Sequence, residues 1–321
     1  MRNKVVFIIL YFGKIPAYFD LWLKSAEKNP EYDFLIYSDL PFDLDDNSNV
    51  RQIHMSFNDV RDKIQKKLNR KICLQTPYKL CDYRPAFGYV FQEDIVEYDF
   101  WGFLDIDLIL GKISNFVTDD LLDKNDKLFY QGHFSLFRNC EMMNTLFLKC
   151  YSHVLNWKYA FSTEYPCHFD ENGTVVWAHE VDSNSGIRFD TKWCFLDTPV
   201  LKYEIYCQGK EGYVVWSNGI LVFYSFDGEI NLELMYIHLQ KRTMLGNVSS
   251  QSSAFAIART SFFDLCNNIN DEYQKKDIDK NNINEFVSIG NDRRRKEIIK
   301  NIQNGAIKAR VYRKIFRWKK R

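Results

Sequence analysis

Apolar residues in this chain fall into short, almost unbroken runs, and a helical pattern separates the first two. Those runs cover residues 5–12 and 32–39, and the stretch between them, 18–29, repeats its apolar residues at helical spacing. Strands buried on both faces give unbroken apolar runs, and a strand–helix–strand order places two strands side by side in parallel. We therefore expect an α/β fold with a mixed, mostly parallel sheet flanked by helices.

The run at residues 98–112 differs from the others because it contains two aspartates, Asp105 and Asp107. Side chains alternate along a strand, so the two carboxylates point the same way, with their Cα atoms roughly 7 Å apart. Open α/β sheets bind ligands at the carboxyl ends of their strands. Mg²⁺ or Mn²⁺ accepts paired carboxylates and shares them with phosphates. Asp-x-Asp also occurs by chance in solvated loops, but the apolar flanks favour a metal site here.

Aromatic and polar residues follow the first two predicted strands. Gly13 comes directly after the first run, and a glycine lets a ligand approach the backbone. Tyr11 and Phe12 could stack on a base, and Lys14 could meet a phosphate. Asp39 ends the second run and could bond a ribose or a base, although a turn residue is the simpler interpretation. These five residues are candidates for a nucleotide site.

A second polar group, Lys79, Asp82 and Arg84, precedes a predicted helix at residues 86–96 that leads into the Asp-x-Asp strand. Lys79 and Asp82 share one face if the segment is helical. Lysine and arginine suit a diphosphate, and an aspartate suits a sugar hydroxyl. An ordinary surface cluster of charges would give the same pattern.

Further candidates lie later in the chain. Asp170 and Glu171 fall in a polar stretch that reads as a loop, where a carboxylate could deprotonate an acceptor hydroxyl. His238 lies in an apolar strand-like run and is followed by Lys241 and Arg242. A lone histidine in such a run is more often a core residue, but the basic residues beside it favour a role in metal and phosphate binding.

Charge divides the chain unevenly. Residues 292–321 carry 13 Lys and Arg against two Asp and Glu, so with a net charge of +1 for the whole chain the remainder carries −10. Residues 293–321 also place apolar residues near helical spacing, which predicts a basic amphipathic helix suited to an anionic membrane surface. A solvated tail or a nucleic-acid contact is the alternative, but an apolar stripe has no use against a phosphate backbone. We expect one domain at 1–266 and a polar linker at 267–292.

Composition narrows the class of protein. The eight cysteines include no C-x-x-C pair, so we expect the reduced thiols of a cytosolic protein rather than a zinc site or a disulfide framework. No run of about 18 apolar residues occurs, so no transmembrane helix is expected. The expected location is cytoplasmic, at the inner face of the membrane through the basic helix.

Taken together, these features resemble a GT-A glycosyltransferase over about residues 4–245. The likeness rests on the first strand with its glycine loop, the second strand ending in Ser-Asp, the Asp105-Ile-Asp107 strand and the late His238. It is strongest to bacterial enzymes of capsule and lipopolysaccharide assembly. The resemblance implies a GT-A-like, Rossmann-like sheet.

Roles for individual residues also follow from the resemblance. It implies that Asp105, Asp107 and His238 hold Mn²⁺ or Mg²⁺ together with the nucleotide diphosphate, and that Asp82 contacts the donor sugar. The resemblance extends more distantly to Asp-x-Asp mannosyltransferases, in which an arginine follows the donor-sugar aspartate by three residues. Here Arg84 follows Asp82 by only two. Asp170 and Glu171 match the acidic acceptor loop only loosely.

The implied activity is transfer of a sugar from a nucleotide-sugar donor, expected to be a UDP-sugar, to a hydroxyl of a lipid-linked surface glycan. Two other functions stay open. A sugar nucleotidyltransferase also uses carboxylates and Mg²⁺, although such enzymes usually have a glycine-rich basic loop after the first strand. A non-catalytic nucleotide- or glycan-binding protein could keep the same fold and metal pair.

Overall fold

The computed structural model describes residues 2–265 apart from 153, 181–184, 193, 199–203, 241, 243, 245–247, 250 and 260, together with residue 295. The predicted linker at 267–292 lies outside the described residues, as does the predicted basic helix at 293–321 apart from residue 295. Among the described residues, no helix is long and apolar enough to cross a membrane.

Sixteen strands are present in the described part of the chain. They are β1 (Val5–Leu10), β2 (Tyr32–Ser38), β3 (Val50–His54), β4 (Phe100–Leu104), β5 (Leu108–Leu110), β6 (Lys127–Gln131), β7 (Phe134–Arg138), β8 (Phe189–Asp190), β9 (Phe195–Asp197), β10 (Tyr206–Cys207), β11 (Lys210–Ser217), β12 (Ile220–Ser225), β13 (Asn231–Glu233), β14 (Tyr236–His238), β15 (Ala254–Ile257) and β16 (Phe262–Asp264).

The helices of the same part of the chain are mostly short. They are α1 (Phe19–Glu27), α2 (Phe57–Leu68), α3 (Phe87–Val90), α4 (Asp119–Lys124), α5 (Glu141–Asn144), α6 (Trp157–Ala160), α7 (Phe169–Asn172) and α8 (Thr174–Glu180), with 3₁₀ helices at Pro77–Ala86, Ile113–Asn115 and Leu146–Leu148.

Seven strands form the central sheet, in the order β3-β2-β1-β4-β7-β6-β8. The first four strands, β3, β2, β1 and β4, run parallel to one another. β7 runs antiparallel to both β4 and β6, and β8 is parallel to β6. β7 alone therefore opposes the other six strands, which confirms the predicted mixed, mostly parallel sheet.

The central sheet has an apolar layer on each face, which is why its strands read as unbroken apolar runs. Along β1, Val6 and Ile8 pack in the cluster that contains Val60 and Ile64 of α2. The alternate residues of β1 pack in the opposite cluster, against Trp22 of α1. Both faces of β1 are thus covered by helices.

The structure corrects one detail of the Asp-x-Asp segment. β4 ends at Leu104 and the chain turns through residues 105–107, so the apolar residues that follow do not continue the same strand. They form β5, which belongs to a separate three-stranded sheet with the order β5-β14-β9. Ile106 is buried at the centre of this turn. The aspartates therefore lie between two sheets, still at the carboxyl end of β4.

A third sheet packs beside the three-stranded one. Its strand order is β13-β12-β11-β15-β16, with β10 paired to β11. Trp216 of β11 is fully buried, and its indole N–H donates to the carbonyl of Leu110 at 2.9 Å. This contact ties the third sheet to β5 and so supports the segment that follows the two aspartates.

Candidate metal centre

The backbone fixes both aspartates from two directions. The amide of Asp105 donates to the carbonyl of His133 at 3.1 Å, and the carbonyl of Asp107 accepts from the amide of Leu239 at 2.9 Å. His133 follows β6, and Leu239 follows β14. The turn that carries the carboxylates is therefore held between the central sheet and the three-stranded sheet.

His238 is the third member of this cluster. Strand pairing places it opposite Leu108 of β5, next to Asp107. Ligand atoms of Asp105, Asp107 and His238 all lie within 4.8 Å of one another. The Nε2 atom of His238 is 3.5 Å from Oδ1 of Asp107. The structure thus brings together the three predicted ligands, and two carboxylates with one imidazole could bind a divalent metal ion.

Asp197 lies on the other side of His238. Its Oδ1 atom is 2.9 Å from Nδ1 of the histidine and accepts a second hydrogen bond from Gln240 Nε2 at 2.6 Å. Burial alone would lower the pKa of His238, but hydrogen bonds to Asp107 and Asp197 outweigh it and raise the pKa to about 9. Burial works the other way on Asp197, yet its bond to His238 keeps the pKa of that carboxyl below its ordinary value.

The ring of His133 stacks on the ring of His238, with the ring centroids 4.1 Å apart. Burial, and then the charge on His238, lowers the pKa of His133 to about 3. His133 is therefore neutral and forms one wall of the cluster, while His238 in the metal-free protein carries a proton next to Asp107.

Arg84 joins the metal cluster to the predicted catalytic residues. Its guanidinium donates to Asp105, to the carbonyl of Gly132 and, at 3.0 Å, to Oδ2 of Asp170. Burial opposes the charge of Arg84, but the charges of Asp105 and Asp170 outweigh burial and raise its pKa. Arg84 is thus a fixed cation between the side chains of Asp105 and Asp170.

Asp170 and Glu171 lie in the helical turn α7 and not in a loop, which corrects the sequence interpretation. Asp170 is buried, and burial raises its pKa to about 8 although Arg84 acts in the opposite direction. Glu171 is exposed, and its Oε1 atom accepts from the amide of Gly132 at 3.2 Å. Asp170 is therefore largely protonated near neutral pH.

Gly132 is the residue that allows α7 to come this close. A Cβ at this position would lie 2.6 Å from Oε1 of Glu171 and 2.9 Å from Oδ2 of Asp170. Any side chain at residue 132 would displace both carboxylates. In the turn between β6 and β7, Gly132 thus lies against Asp170 and Glu171, and the next residue, His133, stacks on His238 of the metal cluster.

Lys79 and Asp82 lie in the protein interior. Both side chains are fully buried, and Lys79 Nζ lies 2.5 Å from Oδ2 of Asp82. Lys79 also donates to the carbonyl of Ala160 at 2.7 Å. The amides of Cys167 and Phe169 donate to Asp82 at 2.8–3.0 Å. In this structure the pair anchors the start of α7, and its donor-binding role stays a prediction.

The first-strand candidates lie at the predicted sheet edge. Burial raises the pKa of Tyr11, and the charges of Asp107 and Asp105 raise it further, which places the phenol near the aspartates. Its hydroxyl donates to the carbonyl of Lys14 at 2.5 Å. Gly13 has a φ of +137°, and no heavy atom lies within 4 Å of the position that its Cβ would take. The loop is open where a ligand was expected.

The remaining candidates differ in burial. Lys14 and Asp39 are exposed. Phe12 is buried and packs edge-on against Phe57, with ring centroids 5.5 Å apart, so in this structure it is a core residue. Arg242 is also buried, and it donates to the carbonyl of Arg259. Lys241 lies outside the described residues.

Sequence reasoning missed four residues of the site: Gly132, His133, Asp197 and Gln240. Asp197 had a readable signal, because it directly ends an apolar run just as Asp39 does. Gln240 also had a signal, because it follows His238 by two residues beside Lys241 and Arg242. Gly132 and His133 had none, since residues 128–138 read as one strand and the pattern does not show where β6 ends and β7 begins.

One family model covers most of the chain. It is described as "Family of unknown function (DUF6625)" and matches residues 7–266. The chain belongs to this family. Among proteins with curated functions, none matches the chain.

Two solved structures show a partial likeness. Both are crystal structures of the glycosyltransferase GlyE in Streptococcus pneumoniae TIGR4. The apo form is 15% identical, with 52% of this chain and 46% of that chain covered and a TM-score of 0.26. The second is 17% identical, with 43% and 34% covered and a TM-score of 0.21. The chain thus spans less than half the length of each of these two glycosyltransferase chains.

The buried Lys79–Asp82 pair yields a stability prediction. Asp82→Asn leaves the ammonium of Lys79 buried without a counter-charge, so we expect the free energy of unfolding to fall by about 3–5 kcal/mol. Urea unfolding measures it. The matched control is Asp120→Asn, which breaks an exposed ion pair with Lys124 and should cost no more than about 0.5 kcal/mol. Unchanged stability with weakened nucleotide binding would instead support the donor-contact role of Asp82.

The raised pKa of His238 predicts a pH dependence for the metal-free protein. A histidine with a folded pKa of about 9 and an ordinary value of 6.5 stabilises the fold fully below pH 6.5 and loses that contribution as the pH rises towards 9. Unfolding in urea with EDTA, at pH 6 and pH 9, should show the loss.

Asp170 also titrates in this range, and because its pKa is raised, its contribution to stability also falls as the pH rises. The comparison variant is therefore His238→Gln, which keeps Asp170 and removes only the histidine. We expect the wild-type protein to lose about 1–3 kcal/mol more than the variant between the two pH values. An equal loss in both proteins would show that His238 does not titrate there.

Proposed function

We propose that this protein is a metal-dependent glycosyltransferase that uses a nucleotide-sugar donor, with a UDP-sugar as the expected substrate. The observation that carries the proposal is the cluster of Asp105, Asp107 and His238, whose ligand atoms lie within 4.8 Å of one another. Its two aspartates follow β4, a strand that is parallel to β1 in the central α/β sheet. Open α/β sheets bind ligands at this edge. Two carboxylates fit Mg²⁺ or Mn²⁺.

A divalent cation held by these residues would neutralise the leaving diphosphate as a Lewis acid. The chain's own part is to bind and orient the donor. The loop after β1 supports this role, because Gly13 leaves the backbone open and Tyr11 lies near the aspartates. Exposed Lys14 and Asp39 offer a phosphate contact and a ribose contact at the same edge.

The acceptor side is assigned to α7. Arg84 holds the carboxylate of Asp170 at 3.0 Å while it also contacts Asp105, so the acid and the metal cluster are fixed relative to each other. A pKa of about 8 leaves Asp170 partly protonated near neutral pH, which suits a group that exchanges a proton with an acceptor hydroxyl. Glu171 is exposed beside it and is the second candidate for contact with the acceptor.

The acceptor itself is proposed to be a hydroxyl of a growing, lipid-linked surface glycan of the capsule or lipopolysaccharide type. The support is the basic amphipathic pattern of residues 293–321, which suits the inner, anionic face of a membrane. In this proposal the catalytic domain works at the cytoplasmic surface, where the tail would hold it beside its acceptor.

Titration calorimetry tests the donor site. UDP should bind the full chain in the presence of Mn²⁺ and should lose at least about 100-fold in affinity with EDTA, because the carboxylates then repel the diphosphate. Asp105→Asn/Asp107→Asn should show the same loss with Mn²⁺ present. The matched control, Asp62→Asn at an exposed helix position, should bind like the wild type.

Turnover is tested next by incubating the protein with Mn²⁺ and a panel of UDP-sugars and measuring released UDP. Hydrolysis or transfer that Asp170→Asn slows without weakening UDP binding supports the enzyme. Failure of UDP, GDP and CMP to bind with metal present would contradict the donor site. Metal-dependent binding without any turnover would favour a binding protein on the same fold.

A further inference from the structure

Asp197 contacts the nitrogen of His238 that does not face the aspartates. The Nδ1 atom of His238 lies 2.9 Å from Asp197 Oδ1, whereas Nε2 is 3.5 Å from Asp107 Oδ1. An ionised carboxylate only accepts hydrogen bonds, so Nδ1 carries the hydrogen. That leaves Nε2 as the nitrogen able to give a lone pair to a metal ion between His238 and the aspartates.

The position of Asp197 is set by the backbone. It lies directly opposite His238 in the parallel pair of β9 and β14. Thr198, the next residue, donates to the carbonyl of His238 through its amide at 3.0 Å and through its hydroxyl at 2.8 Å. Gln240 holds the same carboxylate oxygen at 2.6 Å. The carboxylate can therefore fix the plane of the imidazole and does not merely follow it.

Asp197 is not a plausible ligand in its own right. Its oxygen is bound to Nδ1, across the ring from Nε2, and it does not belong to the cluster of ligand atoms that lie within 4.8 Å of one another. The contact that links Asp197 to the metal position runs through the histidine ring. Asp197 is therefore a partner of the histidine, whereas Asp105 and Asp107 belong to the cluster of metal ligands.

We propose that Asp197 is a positioning residue, which selects the Nε2-ligating tautomer of His238 and aims it at the metal position. The inference rests on the metal site of the proposed function. Histidines that bind metals commonly donate their other N–H to a carboxylate, and loss of that partner costs about 10–100-fold in metal affinity.

The test uses Mn²⁺ alone as the probe and the full chain as the protein. Electron paramagnetic resonance counts free Mn²⁺ and gives the dissociation constant without any substrate. Asp197→Asn should weaken Mn²⁺ binding about 10–100-fold. The matched control, Glu211→Gln, removes a carboxylate that bonds Arg259 in the neighbouring sheet and should leave Mn²⁺ binding unchanged.

A double-mutant cycle separates positioning from a general structural effect. In a His238→Gln background, Asp197→Asn should change Mn²⁺ affinity by less than about twofold, because the residue through which it acts is gone. An equal loss in both backgrounds would overturn the inference, since it would indicate direct ligation or a disturbed fold.

Two further outcomes distinguish the positioning role of Asp197 from the metal site itself. Wild-type Mn²⁺ binding that Asp197→Asn leaves intact would overturn the positioning role and leave the metal site standing. Absence of Mn²⁺ binding in the wild-type protein would overturn both the metal site and this inference. Circular dichroism of each variant confirms that the comparison is made between folded proteins.

Discussion

The pairing of β14 with β5 on one side and with β9 on the other is the constraint on which the candidate metal centre depends. That register aligns Leu108, His238 and Asp197 in one row across three strands, with Asp107 next to Leu108. A shift by one residue would turn the histidine to the opposite face of the sheet. The position of His238 is therefore fixed by strand pairing and does not depend on the conformation of a loop.

Charge is the second constraint, and the metal-free structure balances it with the chain's own cations. Arg84 contacts Asp105 on one side, and a protonated His238 faces Asp107 on the other. Both cations lie where the two aspartates would otherwise repel each other. Metal binding at this cluster must release the proton on Nε2 of His238, so metal affinity and pH are linked.

The sequence indicated those parts of the site that depend on local pattern. Asp105 and Asp107 were readable because they follow an apolar strand directly, and Gly13 because it ends one. Gly132 and His133 join the site only through long-range strand pairing, which periodicity does not show. Asp197 ends an apolar run, but its contact with His238 depends on the pairing of β9 with β14. Lys79 and Asp82 looked like surface or ligand-binding charges, since nothing in their segment revealed that residues 160–169 would cover them.

X-ray diffraction from crystals grown with Mn²⁺, with anomalous scattering measured near the manganese edge, tests the central claim most directly. The account predicts one strong anomalous peak within about 2.5 Å of an oxygen of Asp105 or Asp107 and of Nε2 of His238. It also predicts that Nδ1 of His238 stays bonded to Asp197. A peak at other residues, or none between these three at saturating Mn²⁺, would contradict it.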